Sequence, residues 1–290
     1  MHTNRIIDGR AHAKLLLSNL TTEITKFKAN YNIAPKLVVI IVGNNPASQI
    51  YVRNKAMNAK AIGMLSEIIA FDESVSQDDI LNAIGQLNTD NSVHGIIVQL
   101  PLPNHINALE IISTISPVKD VDGFHPINVG KLHIGDQSGL FPCTPLGIIY
   151  LLKHYLHDLT GKHAVIIGRS NIVGKPAAAL LLQEDCTVTI CHSQTKDLAS
   201  ITSRANIVIS AMGKPNFLGP EYFKAYATII DVGINRVETY GKARLVGDVD
   251  FENTAHKAAF ITPVPGGVGP MTIAFLLSNT LKAAMLSCHS

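Results

Sequence analysis

Charge is scarce in this chain, and none of it is gathered into blocks. Asp, Glu, Lys and Arg make up 16% of 290 residues, and the formal net charge is +2. A nucleic-acid binder carries a basic stripe or patch for the phosphates, and this sequence has neither. Long apolar runs are also missing. No stretch approaches the length of a membrane span, and Leu15-Leu16-Leu17 is too short, with polar flanks, for a secretory signal. The expectation is a protein with no membrane and no nucleic acid among its partners. The four cysteines, Cys143, Cys186, Cys191 and Cys288, show no C-x-x-C spacing. Small buried thiols in a reduced, cytoplasmic protein are the simplest account. His154 and His157 stand at i, i+3 on a helical pattern, but no third ligand accompanies them, so no metal is expected. A P-loop, a G-x-S-x-G elbow and a solenoid repeat are absent as well.

Hydrophobic residues are plentiful, at 47%, and suffice for large cores. The length suits two ordinary domains. In the first half, strand patterns at Lys36–Val42, Ser66–Phe71 and His94–Gln99 alternate with helical ones at 10–30, 46–62 and Ser76–Leu87. In the second half, Thr144 reads as a helix N-cap with Pro145 at N1, opening a helix to His157. Strands at His163–Ile167, Thr187–Cys191, Ile207–Ser210, Thr228–Val232 and Ala259–Ile261 follow, with a helix at Lys175–Gln183. A strongly apolar helix runs from about Met271 to Leu286. Such alternation predicts parallel sheets with crossover helices. The expected fold is therefore α/β, in two α/β domains. Residues 1–140 form the first, 141–270 the second, and the segment 271–290 packs back on the first. The glycines and polar residues from Gly130 to Phe141 read as a hinge loop.

Two stretches carry chemistry. In Asn44-Asn45-Pro46-Ala47-Ser48-Gln49-Ile50-Tyr51-Val52-Arg53-Asn54-Lys55, turn formers follow a strand and open a helix. Tyr51 and Lys55 are four residues apart and so share one helical face near its start. A flat ring beside an ammonium suits a flat, polar substrate, and the lysine is a candidate acid or base. By itself the pair reads more readily as a solvated tyrosine and lysine, and other parts of the chain change that balance. The second stretch is Gly168-Arg169-Ser170-Asn171-Ile172-Val173-Gly174, between a strand and a helix. Such a turn brings backbone amides and a helix N-terminus to a pyrophosphate. Ser170 stands where the strict G-x-G-x-x-G pattern has its second glycine. The next strand ends in Cys191-His192-Ser193-Gln194-Thr195, without the carboxylate that usually holds the ribose of NAD. Arg169 and Ser193 suit a 2′-phosphate instead, which favours NADP.

These blocks, together with others, resemble the methylenetetrahydrofolate dehydrogenase/methenyltetrahydrofolate cyclohydrolase family. The others are Gly95–Pro103 (GIIVQLPLP), Lys119–Phe124 (KDVDGF), Pro142–Pro145 (PCTP), Asp231–Asn235 (DVGIN) and Pro263–Thr272 (PVPGGVGPMT). They stand in family order from about residue 40 to 272. The resemblance implies a folate-binding catalytic domain, a Rossmann-type NADP-binding domain and an active-site cleft between them. It implies oxidation of 5,10-methylenetetrahydrofolate by NADP and hydrolysis of the methenyl product to 10-formyltetrahydrofolate. Lys55 would be the essential acid/base, Gln99 would position it, Tyr51 would stack on the folate, and Asp122 would hydrogen-bond the pterin. Ser48, Pro265, Gly266 and Gly267 would line the substrate. Gly168, Arg169, Ser170, Ser193, Ile234 and Thr144 would contact NADP. A cytoplasmic homodimer, joined through an exposed edge of the second domain, is implied too. One departure is Leu146, where the family often has a basic residue.

Rival readings fare worse. Short-chain dehydrogenases also pair Tyr and Lys four apart, but there the nucleotide turn precedes the pair. Here Tyr51 and Lys55 come long before Gly168. A dehydrogenase without hydrolysis, or a protein that only binds, would not need both half-sites intact.

Overall fold

The computed structural model describes residues 5–239 and 242–288. The chain divides into two compact units. The first comprises Leu15–Cys143 and Ile273–Ser290, and the second comprises Thr144–Thr272 with the described part of Met1–Lys14.

In the first unit the order is α1 (Gly9–Tyr31), β1 (Lys36–Val42), α2 (Pro46–Ala61), β2 (Leu65–Phe71), α3 (Gln77–Thr89), β3 (Gly95–Val98), α4 (Ala108–Thr114) and α5 (Pro126–Ile134). The strands pair in parallel, in the order β2-β1-β3. β1 is central, so its Leu-Val-Val-Ile-Ile-Val run is buried on both faces, as expected for a parallel strand. Leu37, Val39 and Ile41 join Leu20, Ile24 and Phe27 of α1 and Leu276, Leu277 and Leu281 near the C-terminus. Val38, Ile40 and Val42 face the other way, toward Ile80 and Ile84 of α3 and Ile111 of α4. The period-2 alternation of a strand thus feeds two cores at once. Each such side chain contributes roughly 1.5–3 kcal/mol on full burial. β2 lies at an edge, with Leu65 and Ile68 exposed.

In this unit two short helices escape the sequence reading because neither is long enough to show a period. α4 is capped by Asn107, whose Oδ1 accepts from the N–H of Leu109 and Glu110. α5 has Pro126 in its first turn and Gly135 as its left-handed C-cap. Gly130 therefore lies inside a helix, and the expected hinge loop from Gly130 to Phe141 is corrected to a shorter segment after Ile134.

The second unit runs α6 (Cys143–Leu156), β4 (His163–Ile167), α7 (Gly174–Gln183), β5 (Thr187–Cys191), α8 (Leu198–Thr202), β6 (Ile207–Ser210), β7 (Thr228–Asp231), β8 (Asn235–Thr239), β9 (Lys242–Val246), α9 (Phe251–Thr254) and β10 (Phe260–Ile261). Its five-stranded sheet is parallel, in the order β10-β7-β6-β4-β5. The strand order reverses at β4 and β6. That is the topological switch point of a doubly wound sheet, where a crevice opens beyond the strands' carboxyl ends. β8 and β9 form an antiparallel hairpin that the sequence reading does not contain.

The last helix, α10 (Val268–Ser287), and the first residues differ from a simple division at 140. Ile7 N–H donates to the Ile261 carbonyl and Ile6 bridges Ile261, so the chain start extends the sheet of the second unit. From Ile273 onward, α10 belongs to the first unit. Backbone pairing at one end and apolar packing at the other decide these memberships, and neither shows in local composition. The helix expected to open at Pro145 behind a Thr144 cap starts two residues earlier, at Cys143.

Candidate active site

In the first unit, chain chemistry converges at the carboxyl ends of β1 and β3. After Val42 the chain turns and α2 begins, with Asn45 Oδ1 accepting the Ser48 N–H at 3.2 Å. This cap satisfies a backbone donor that the helix start leaves orphaned. It also places the first turns of α2 at the rim of the sheet. There Lys55 is 4% exposed, and its Nζ lies 5.2 Å from the centroid of the Tyr51 ring. Gln99 follows β3, anchored by its N–H to the Ile40 carbonyl of β1. Lys55 Nζ donates to Gln99 Oε1 at 3.1 Å. Gln99 Nε2 donates to the Leu100 carbonyl at 2.7 Å. A carbonyl accepts only from the amide nitrogen, so this second bond turns the amide oxygen toward Lys55. Ser48 is buried in the first turn of α2. Among the described residues Lys55 forms no ion pair. A buried ammonium without one costs stability, so a purely structural lysine is a poor account of it.

Asp122 is half-buried in the turn after β3. Burial pushes its carboxyl above the ordinary aspartate range, and the nearby Lys55 charge opposes the shift. Its neighbour Asp120 has a different task. The Asp120 carboxylate accepts from Phe124 N–H, His125 N–H at 2.8 Å and Asn128 Nδ2 at 2.9 Å, and so builds the turn. Two residues outside the sequence-derived site also belong here. Asn279 of α10 donates through Nδ2 to the carbonyls of Val121 and Phe141, both at 2.9 Å, clamping the backbone beside Asp122. Cys143 donates its thiol to the Val121 carbonyl. Burial holds that thiol well above its usual range, with the Asp122 charge adding to the effect, so it is no nucleophile. A lone Asn in an apolar helix was the one sequence signal available for Asn279.

The second unit holds the remaining candidates. Gly168 ends β4 at φ +138°, and a Cβ there would run into the Ala211 carbonyl oxygen. Only glycine fits that approach. Ser170 Oγ accepts the N–H groups of Val173 and Gly174, capping the start of α7. Arg169 and Ser193 are exposed, at the ends of β4 and β5. Ile234 is exposed in the turn after β7. Thr144 shares a 2.9 Å hydroxyl contact with Thr272. Pro265, Gly266 and Gly267 lie before α10, where Gly267 N–H closes a turn on the Pro263 carbonyl and Arg10 N–H donates to the Gly266 carbonyl. A dinucleotide fits these donors. The glycine cradle and the N-terminus of α7 suit its pyrophosphate, and no carboxylate stands from Cys191 to Thr195 to repel a 2′-phosphate.

Comparison with known proteins agrees with both halves. Residues 7–122 match the tetrahydrofolate dehydrogenase/cyclohydrolase catalytic domain, and residues 142–288 match the NAD(P)-binding domain of the same enzymes. The bifunctional protein FolD of Wolbachia pipientis subsp. Culex pipiens is 56% identical over 281 residues, covering 97% of this chain and 95% of that one. The crystal structure of FolD, methylenetetrahydrofolate dehydrogenase/cyclohydrolase from Campylobacter jejuni, is 50% identical with a TM-score of 0.93, covering 97% and 98% of the two chains. The Trypanosoma brucei enzyme, solved with NADP cofactor and inhibitor, is 41% identical with a TM-score of 0.94, covering 98% of each chain.

Proposed function

The chain belongs to the tetrahydrofolate dehydrogenase/cyclohydrolase family, and we propose that Lys55, held by Gln99 beside Tyr51, is the acid–base centre of its folate site. The enzyme is bifunctional. It oxidises 5,10-methylenetetrahydrofolate with NADP and hydrolyses the resulting methenyl cation to 10-formyltetrahydrofolate. The observation that carries the proposed role is the buried Lys55 Nζ, aimed by an amide that a backbone carbonyl has already oriented.

Bound NADP supplies the hydride acceptor, so the chain's own residues need only align the folate for that step. The Tyr51 ring offers a flat face for the folate, and the Asp122 carboxylate offers two acceptors for the amide-like edge of the pterin. Hydrolysis asks more. Water must lose a proton as its oxygen bonds the methenyl carbon, and Lys55 Nζ, in its unprotonated form, takes that proton; passed on to ring nitrogen N5, the proton lets the C–N5 bond break and leaves the formyl group on N10. Gln99 keeps Nζ from swinging away. Ser48, Pro265, Gly266 and Gly267 complete the contacts to substrate in this reading.

For the cofactor, we assign contacts to Gly168, Arg169, Ser170, Ser193, Ile234 and Thr144. Arg169 and Ser193 would hold the 2′-phosphate. Arg169→Ala is then expected to raise the KM for NADP by about tenfold or more, the worth of one charge-assisted hydrogen bond, and to leave that for NAD nearly unchanged. Steady-state rates with both cofactors check this, and equal losses would return Arg169 to an ordinary surface side chain.

Among the described residues no helix is long and apolar enough to cross a membrane. The four cysteines are free, which suits a reducing cytoplasm. A homodimer is supported by β5, an edge strand of its sheet with Ile190 40% exposed. Sedimentation of the purified enzyme would decide it, a monomer at working concentration counting against the edge.

A further inference from the structure

Beyond the residues assigned to the cofactor, one buried carboxylate organises the rim on which they stand. Asp248, between β9 and α9, is fully buried. Its Oδ2 accepts from Ser210 Oγ at 2.9 Å, Met212 N–H at 2.8 Å and Gly213 N–H at 3.3 Å. Its Oδ1 accepts from Lys214 N–H at 2.9 Å and Asn235 Nδ2 at 3.0 Å. Three successive backbone N–H groups converging on one anion form a nest. Nests at strand ends commonly take phosphate, but here the anion is part of the chain. The turn after β6 is thereby held shut, and its Ala211 carbonyl abuts Gly168 at the end of β4. These are the two strands of the switch point.

The same carboxylate reaches the turn after β7. Asn235 follows the exposed Ile234, and a Cβ on Gly233 would run into Asp248 Oδ1. Asp248 is itself fixed from behind, because its N–H donates to Asp231 Oδ1 at 3.0 Å and the next N–H, of Val249, donates to Asp231 Oδ2 at 2.8 Å. A single side chain therefore links the turns after β6 and β7, and through Ala211 the glycine turn after β4.

We propose that Asp248 is a positioning residue for the dinucleotide, its carboxylate fixing the turns after β6 and β7 against the glycine turn that receives the cofactor. This rests on the reading that NADP lies along the carboxyl ends of β4 to β7. Asp248 touches no substrate; it acts through the backbone it holds. Its loss separates the two activities, because hydrolysis of added methenyltetrahydrofolate needs no NADP.

The test compares Asp248→Asn, Asn235→Ala and Arg169→Ala with the parent. Asp250→Asn, in the cap of α9 two residues along, serves as the control. Readouts are NADP affinity by titration, cyclohydrolase activity on added methenyltetrahydrofolate, and the urea unfolding midpoint. Asp248→Asn keeps the shape but turns an amide donor toward backbone donors. Its NADP dissociation constant is expected to rise about tenfold or more, as when hydrogen bonds to a charged group are lost, while cyclohydrolase activity persists. Asn235→Ala removes one contact without burying a new donor, so it is expected to fold and to show a smaller rise of the same kind. Asp250→Asn should change neither. Unchanged NADP affinity in Asp248→Asn or Asn235→Ala, with weakened affinity in Arg169→Ala, would overturn the role of Asp248 and leave the cofactor site standing. No change in any of the three would overturn the cofactor site along with it. Parallel loss of NADP affinity and cyclohydrolase activity in Asn235→Ala, with a lowered midpoint, would reduce Asp248 to general support of the fold.

Discussion

Replacing Lys55 by Met is expected to lower cyclohydrolase activity by at least roughly 10²-fold, the usual cost of a lost general base. Methionine keeps much of the stem, so the buried slot under Tyr51 stays filled, and what disappears is the nitrogen 3.1 Å from Gln99 Oε1. Hydride transfer depends on alignment more than on proton movement, so the dehydrogenase rate is expected to fall less. Added methenyltetrahydrofolate separates the steps, since its decay in absorbance reports hydrolysis alone. The unfolding midpoint should hold, because a buried charge without an ion pair has been removed, and the NADP affinity should be unchanged, because Lys55 is not among the residues assigned to the cofactor. A variant that hydrolyses the methenyl cation at the parent rate would take Lys55 out of the mechanism. Gln99→Leu offers a second view: the lysine remains but loses its partner, so an intermediate loss is expected.

Asp122→Ala is expected to act on folate and spare the cofactor. Losing a charge-assisted pair of acceptors should raise the KM for methylenetetrahydrofolate by about ten- to a hundredfold. Titration with NADP should give the parent affinity. If it did not, Asp122 would be a residue of the turn, as Asp120 is. The pH profile adds a sign. Burial raises the Asp122 carboxyl, with Lys55 opposing, so the carboxylate loses its charge as pH falls through a value above the ordinary aspartate range. Folate affinity of the parent should therefore weaken on acidification earlier than for an exposed aspartate. Asp122→Asn should lack that step, and an identical acid limb in parent and variant would speak against the carboxylate as the pterin's acceptor.

Which parts of this were legible in the residues follows from how far each interaction reaches along the chain. The alternation of strand and helix is local. Six consecutive branched or long apolar residues from Leu37 to Val42, bounded by turn formers, read as a strand, and the turn formers after it open the next helix. Tyr51 and Lys55 meet because a helix repeats every few residues, and Gly168 announces itself because only glycine tolerates its backbone. Short elements were lost for the same reason in reverse. α4 and α5 span only two turns or so and are made by caps, leaving no period to detect.

The sequence by itself determined the α/β class, the parallel sheets and the residue types at each strand end, because those follow from neighbours a few positions apart. Tertiary structure alone decided what distant segments do for one another. Asn279 meets Val121 across 158 positions, Asp248 gathers Met212 to Lys214 from more than thirty positions away, and Ile7 pairs with Ile261. Each is a buried polar group that must find a partner once water is excluded. That demand can be read from a single residue, but the partner cannot, because only the packed backbone determines which donor or acceptor lies within reach.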